Sequence, residues 1–122
     1  MLRAVTILVV CVLASAGVAS ADNYVSVSGA TRAKVTREVY RYWSGWEARR
    51  MLYIIGRESG FNPRAVNWSD ANGGSHGLCQ VNGIHRGTFA RLWHLRYTIK
   101  AGMEMCYRLY RAAGWGPWAY IG

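Results

Sequence analysis

The chain has 122 residues and carries 15 Lys and Arg against 6 Asp and Glu, a formal net charge of +9 at pH 7. This length allows one domain with a small core, and the basic surface favours a polyanionic neighbour. The Arg residues are scattered through amphipathic segments and form no basic block, so we expect no nucleic-acid partner. The sequence also lacks a phosphate-cradling glycine loop and a Ser-His-Asp signature, which argues against those two kinds of enzyme.

The first 21 residues have the features of an export signal. Arg3 provides a positive start, residues 5–13 are apolar, and residues 19–21 form a small-x-small cleavage pattern before Asp22. The apolar run is too short and too interrupted to predict a membrane span. We therefore expect a secreted, extracytoplasmic protein. The alternative is a retained N-terminal anchor, and only this alternative would place the protein at a membrane.

Cleavage at this site removes Cys11 and leaves Cys79 and Cys106. An even number of cysteines in an exported chain favours a disulfide. Closing a loop of that size stabilises a fold by roughly 3–4 kcal/mol. The alternative is a pair of buried free thiols.

Two helices are predicted in the first half of the mature chain. Residues 22–32 are polar and are expected to form a flexible lead-in. Residues 33–43 carry an apolar stripe that includes Val35 and Val39, which predicts the first helix. Ser44 and Glu47 have the spacing of a capping box, so the second helix should cover residues 45–59.

The second half begins with a segment that cannot be one helix. Residues 60–87 are rich in Gly, Asn and Ser, which predicts turns and short strands. A short helix is expected at residues 88–93 and a longer one at residues 98–112, whose periodicity turns Cys106 towards the core. We therefore expect one domain, residues 33–122, that is mainly α in an α+β arrangement, with a small lobe of loops and strands.

Glu58 is the strongest candidate for chemistry. Its spacing from Met51 and Ile55 places its carboxyl group on the apolar face of the second helix. Burial disfavours the charged form of a carboxyl group and raises its pKa, so such a group can donate a proton near neutral pH. The alternative is a carboxylate paired with a neighbouring Arg at the helix end.

Two motifs in sequence order suggest a family. Residues 57–66 read Arg-Glu-Ser-Gly-Phe-Asn-Pro-Arg-Ala-Val, and residues 77–82 read Gly-Leu-Cys-Gln-Val-Asn. This pair resembles the lytic transglycosylases and goose-type lysozymes of the lysozyme-like superfamily, and the tail at residues 114–118 resembles the ending of some transglycosylases and resuscitation-promoting factors. Cys79 stands where the family usually has Met, and the chain end lacks the Asn of the family's closing Tyr-Asn-x-Gly. The resemblance covers residues 33–122.

The resemblance implies a lysozyme-like fold in which a helical domain and a small lobe flank a cleft. It also implies an enzyme that cleaves the β-1,4 bond between N-acetylmuramic acid and N-acetylglucosamine in peptidoglycan. Glu58 matches the family's catalytic Glu. A lytic transglycosylase needs no second carboxylate and leaves 1,6-anhydromuramyl ends, and this is the favoured chemistry. A hydrolytic lysozyme usually uses a second carboxylate, for which Asp70 is the candidate, and the alternative role of Asp70 is to stabilise a turn.

Six further residues are candidates for contacts with the glycan strand. Ser59 follows the catalytic Glu in the motif, Gly77 permits close backbone approach, and two amide side chains and two aromatic side chains suit a sugar. These amides and aromatics are Gln80, Asn82, Trp118 and Tyr120. For Ser59, Gln80 and Asn82 the alternative is hydrogen bonding within the protein, and for each aromatic residue it is a place in the core.

The sequence indicates neither a metal site nor a cofactor. His76, His85 and His94 have spacings that match no short ligand motif on one helix face. Peptidoglycan glycan strands are the expected partner, and anionic cell-wall polymers fit the net charge. Two other classes remain as alternatives, a non-catalytic basic module that binds the cell wall and a small basic nucleic-acid binder. The Glu58 motif argues against both.

Overall fold

A computed structural model describes residues 26–121. The predicted export signal at residues 1–21, Cys11 and the first part of the lead-in lie outside the described residues. Three long helices dominate the described part, α1 (Gly29–Tyr42), α2 (Gly45–Ser59) and α5 (Ile99–Ala113). Helix α1 packs against both α2 and α5. The core lies between them and is built from Val35, Val39, Met51, Ile54, Ile55, Met103, Met105 and Cys106.

Helix α1 begins at Gly29 and not at residue 33, so the predicted lead-in of residues 22–32 is wrong for its last four residues. The reason is a cap that precedes the apolar stripe. The Ser28 hydroxyl accepts a hydrogen bond from the Thr31 N–H at 3.1 Å, which satisfies one of the free donors at the helix start.

Helix α2 has the predicted bounds, but the predicted capping box does not form. The Ser44 side chain makes no capping hydrogen bond. The Glu47 carboxylate instead accepts a hydrogen bond from the Tyr110 hydroxyl of α5. The helix ends at Gly60, which has a left-handed conformation with φ +59° and donates its N–H to the Gly56 carbonyl at 3.1 Å.

The segment after α2 forms the predicted small lobe. Three two-residue strands, β1 (Val66–Asn67), β2 (Ser75–His76) and β3 (Val81–Asn82), make an antiparallel sheet in the order β1-β2-β3. Ser75 pairs with Asn67 on one side and with Asn82 on the other. The mainly helical fold with a small loop-and-strand lobe is therefore confirmed.

The chain returns to the helical core through short elements. A 3-10 turn (Gly83–His85) leads into α3 (Arg86–Phe89) and α4 (Arg91–His94), which replace the single helix predicted at residues 88–93. The break falls at Ala90, whose φ of 44° and ψ of −104° do not fit a right-handed helix. Thr98 then caps α5 through its hydroxyl, and a second 3-10 turn (Gly116–Trp118) follows this helix.

A disulfide joins the lobe to the helical core. The Sγ atoms of Cys79 and Cys106 are bonded, and their Cα atoms are 5.9 Å apart. Cys79 lies just before β3 and Cys106 is fully buried on α5, so the predicted pairing and the predicted core position of Cys106 are both confirmed. Within residues 26–121, no helix has the length and hydrophobicity needed to cross a membrane.

Candidate active site

Glu58 lies in the last turn of α2, at the junction between the helical core and the lobe. Only 6% of its surface is exposed. The neighbouring core residues Ile54 and Ile55 on the same helix are fully buried, as the apolar periodicity of α2 predicts. Burial and, to a smaller extent, the negative charge of Asp70 together raise the pKa of Glu58 from its ordinary value of 4.5 to about 8.

Asp70 is held in a turn of the lobe between β1 and β2. Its N–H donates to the Asn67 carbonyl, and its Oδ1 accepts a hydrogen bond from Asn67 Nδ2 at 3.2 Å. The residue is 9% exposed, and burial raises its pKa, while a hydrogen bond from Ser75 opposes that rise. Asp70 therefore lies in a turn, which is one of the two roles that the sequence suggests. Its negative charge also raises the pKa of Glu58.

This pair has the properties needed for acid catalysis. A carboxyl group with a pKa of about 8 is largely protonated at neutral pH and can donate its proton to a leaving oxygen. A second carboxyl group close enough to act on the first through its charge can stabilise positive charge that develops in the transition state, or hold a water molecule.

Ser59 is not available as a glycan contact in this structure. It is fully buried, and its hydroxyl donates to the Ile55 carbonyl at 3.1 Å. This is the alternative that the sequence left open, a serine at a helix end bonded to the backbone.

Gly77 and Gln80 serve the structure of the lobe. A Cβ atom on Gly77 would stand 2.9 Å from the Arg96 carbonyl oxygen. The lack of a side chain at Gly77 therefore allows close contact with the backbone of Arg96, not with a glycan. The Gln80 Nε2 amide donates to the Ala65 and Gly77 carbonyls at 3.2 and 3.1 Å. The half-buried Gln80 carbonyl group remains a candidate for contact with a sugar.

Asn82 organises the lobe from within. It is 1% exposed, and its Oδ1 accepts hydrogen bonds from the Ile84 N–H and from Asn72 Nδ2. Its Nδ2 donates to the Ala71 carbonyl and to the Ser75 hydroxyl. Because both ends of the amide are used inside the protein, the prediction that Asn82 contacts the substrate is corrected to a structural role.

The two aromatic candidates at the chain end differ. Trp118 is 2% exposed, and its indole N–H donates to the Cys79 carbonyl at 3.2 Å. A buried ring cannot offer its face to a sugar, so Trp118 is a core residue that packs beside the disulfide, which corrects the prediction. Tyr120 is 37% exposed and remains a candidate for a glycan contact.

The role of His76 in the lobe is not evident from the sequence. This buried side chain bonds to the Gly73 carbonyl through Nε2 at 2.9 Å and to the Tyr97 hydroxyl through Nδ1 at 2.7 Å. Since a carbonyl only accepts, Nε2 carries the proton and Nδ1 accepts from Tyr97. The His76 ring also makes an edge contact with the Trp68 ring, with 5.3 Å between the centroids, although the Trp68 side chain is 70% exposed. The Tyr97 contact spans 21 positions of the sequence, so no local pattern indicates it.

No group of three His, Cys, Asp or Glu side chains among residues 26–121 is arranged to hold a metal ion. Comparisons of the chain with protein-family models, with curated proteins and with solved structures find no match. The resemblance to the lysozyme-like superfamily therefore rests on the two sequence motifs, and the site rests on the geometry described above.

Proposed function

We propose that the protein is a muralytic enzyme that cleaves the β-1,4 bond between N-acetylmuramic acid and N-acetylglucosamine in peptidoglycan. The observation that carries the proposal is the buried carboxyl group of Glu58, whose pKa is raised to about 8. Cleavage of a glycosidic bond requires an acid that protonates the bridging oxygen, and Glu58 has the protonation state for this task near neutral pH. The choice of peptidoglycan comes from the motif pair at residues 57–66 and 77–82.

The favoured chemistry is lytic transglycosylation. Glu58 donates its proton to the bridging oxygen, and the bond from this oxygen to the anomeric carbon breaks. The Glu58 carboxylate then takes the proton of the sugar's own 6-hydroxyl, whose oxygen bonds to the anomeric carbon and closes a 1,6-anhydro ring. No water is consumed, because the nucleophile is held within the substrate.

The alternative chemistry is hydrolysis with Asp70 as the second carboxylate. The effect of the Asp70 charge on Glu58 favours it, because a hydrolase needs a carboxylate near the acid to hold a water molecule or to attack the sugar. The hydrogen bonds from Asn67 and Ser75 to Asp70 also fit a residue that only stabilises its turn. The two chemistries share the same acid and differ in their products.

The remaining alternative is a basic module that binds the cell wall without catalysis. A binding module gains nothing from an acidic group that is kept protonated inside the protein, whereas general acid catalysis requires one. A zymogram of the purified, disulfide-bonded protein against peptidoglycan separates the two proposals. We expect a cleared band, and binding without clearing would overturn the enzymatic proposal.

A further inference from the structure

Residues 34–41 of α1 and the start of α5 form the walls of a shallow surface groove. Its volume is about 310 Å³, and its charged lining among residues 26–121 consists of four cations, Lys34, Arg37, Arg41 and Lys100, with a single carboxylate, Glu38. A second depression of about 380 Å³ shares Glu38, Arg41 and Lys100 with it and adds the carboxylate of Glu104, which is paired with Arg108. We call the two together the cationic groove.

The cations of the groove are aligned by helical geometry. Lys34, Arg37 and Arg41 are spaced i, i+3, i+7 on α1, so they lie on one face and extend along it for roughly 10 Å. Lys100 faces them from α5. The groove therefore presents a row of positive charge on one wall and a further positive charge on the other.

Most of this charge is not neutralised by the protein. Arg41 pairs with Glu38 at 3.7 Å. Lys34, Arg37 and Lys100 form no ion pair with any carboxylate among residues 26–121. Three cations without a carboxylate partner in one groove favour an anionic ligand, since like charges placed together repel one another until a counter-charge arrives.

We propose that the cationic groove binds a polyol-phosphate polymer of the cell wall. Repeating phosphodiesters match a row of Lys and Arg side chains, and the guanidinium group of Arg binds phosphate oxygens in a two-pronged geometry. The identification of the polymer as one of the wall rests on the proposed function. The consequence is that the protein is held beside its substrate by a surface that contains none of the catalytic residues.

The lining of the groove argues against single-stranded nucleic acid as the ligand. Proteins that bind single strands place aromatic rings where successive bases stack on them. Among residues 26–121, no aromatic side chain lines the first depression, and Tyr42 is the one aromatic residue that lines the second. A polyol-phosphate chain has no bases and needs no such rings.

The test compares two triple variants with the same loss of charge. One variant carries Lys34→Gln, Arg37→Gln and Lys100→Gln in the groove, and the control carries Arg49→Gln, Arg86→Gln and Arg91→Gln. All six side chains are exposed, so both variants should fold, and a thermal unfolding midpoint close to that of the wild type verifies this. Binding to soluble poly(glycerol phosphate) is titrated at several salt concentrations, with a single-stranded oligonucleotide of equal charge as the second probe.

We expect the groove variant to bind poly(glycerol phosphate) at least about tenfold more weakly than the wild type, with a shallower salt dependence, and the control to change by less than about threefold. Equal losses in the two variants would show that binding depends on diffuse charge and would overturn the proposal. Binding of the oligonucleotide as tightly as the polyol phosphate would overturn it in favour of nucleic acid. The titration requires no catalysis, so it separates a failure of this proposal from a failure of the proposed enzymatic function.

Discussion

The charge of Asp70 raises the pKa of Glu58, although the two residues belong to different parts of the fold. Glu58 ends helix α2 of the core, and Asp70 lies in a turn between two strands of the lobe. Burial provides the larger part of the shift and Asp70 the smaller part. The lobe therefore helps to set the protonation of the residue that we propose as the acid.

The first prediction concerns the acid itself. Glu58→Gln should reduce the release of soluble fragments from purified peptidoglycan by at least about 100-fold, because Gln keeps the size of Glu but cannot donate a proton as an acid. The rate is measured with the folded variant, whose thermal midpoint should not fall below that of the wild type. Glu104→Gln is the matched control, because Glu104 is a more exposed carboxylate that pairs with Arg108 on α5. A loss of less than about tenfold in the Glu58 variant would remove Glu58 from the acid role.

The second prediction concerns the pH dependence of activity. Since Glu58 acts as an acid with a pKa of about 8, the rate should fall as the pH rises through 8. The measurement is the initial rate of lysis across the range from pH 5 to 10 at constant ionic strength. A rate that continues to rise above pH 9 would contradict the assignment.

The third prediction concerns the pH dependence of stability. The pKa of Glu58 is about 8 in the folded protein and near its ordinary value of 4.5 in the unfolded chain, so between these values the folded state keeps a proton that the unfolded state releases. The contribution of Glu58 to the free energy of unfolding is therefore fully present below pH 4.5. It falls by on the order of 5 kcal/mol as the pH rises from 4.5 to 8. Urea unfolding of the wild type and of Glu58→Gln at pH 5 and pH 9 measures this. The variant should gain stability relative to the wild type at pH 9, and an equal pH dependence of the two proteins would refute the raised pKa.

Much of the helical core could be predicted from the sequence, because its signals are local. The apolar spacing of Met51, Ile55 and Glu58 predicted both α2 and the burial of the acid. The even cysteine count predicted the disulfide between Cys79 and Cys106. These predictions depend on the spacing of apolar residues and on the number of cysteines, and both can be read directly from one sequence.

The remaining features depend on contacts between distant parts of the chain. Glu47 does not form its predicted capping box, because the Tyr110 hydroxyl, 63 positions later, takes its carboxylate. Asn82 and Trp118 suit sugars by residue type, but the fold uses the amide of Asn82 inside the lobe and the indole of Trp118 beside the disulfide. The effect of Asp70 on Glu58 follows from the packing of the lobe on α2, which no local pattern indicates.

The fourth prediction tests whether the lobe supports the site. A Cβ atom on Gly83 would stand 2.0 Å from the backbone oxygen of Asn72, whereas a Cβ atom on Gly87 would meet nothing within 4 Å. Gly83→Ala should therefore shift the lobe, lower the thermal midpoint and reduce lysis, and Gly87→Ala should leave both close to the wild type. Thermal unfolding and the rate of lysis are compared for the two variants. Equal thermal midpoints and equal rates of lysis in the two variants would show that the turn at Asn72 can move without affecting stability or activity.

The final prediction concerns the product, and it separates the two proposed chemistries. If Glu58 works without a second carboxylate, digestion of glycan strands should give 1,6-anhydromuramyl ends, each lighter than a reducing end by one water. Asp70→Asn should then keep substantial activity, since no water needs a base, and the amide can still accept the hydrogen bond from Asn67. Removing the Asp70 charge should also lower the pKa of Glu58, so the fall in rate at high pH should begin at a lower pH than in the wild type. Mass spectrometry of the released fragments and a pH profile of the variant measure both effects. Fragments dominated by reducing ends, together with a nearly inactive Asp70→Asn, would assign Asp70 to the water and make the enzyme a hydrolase with the same acid.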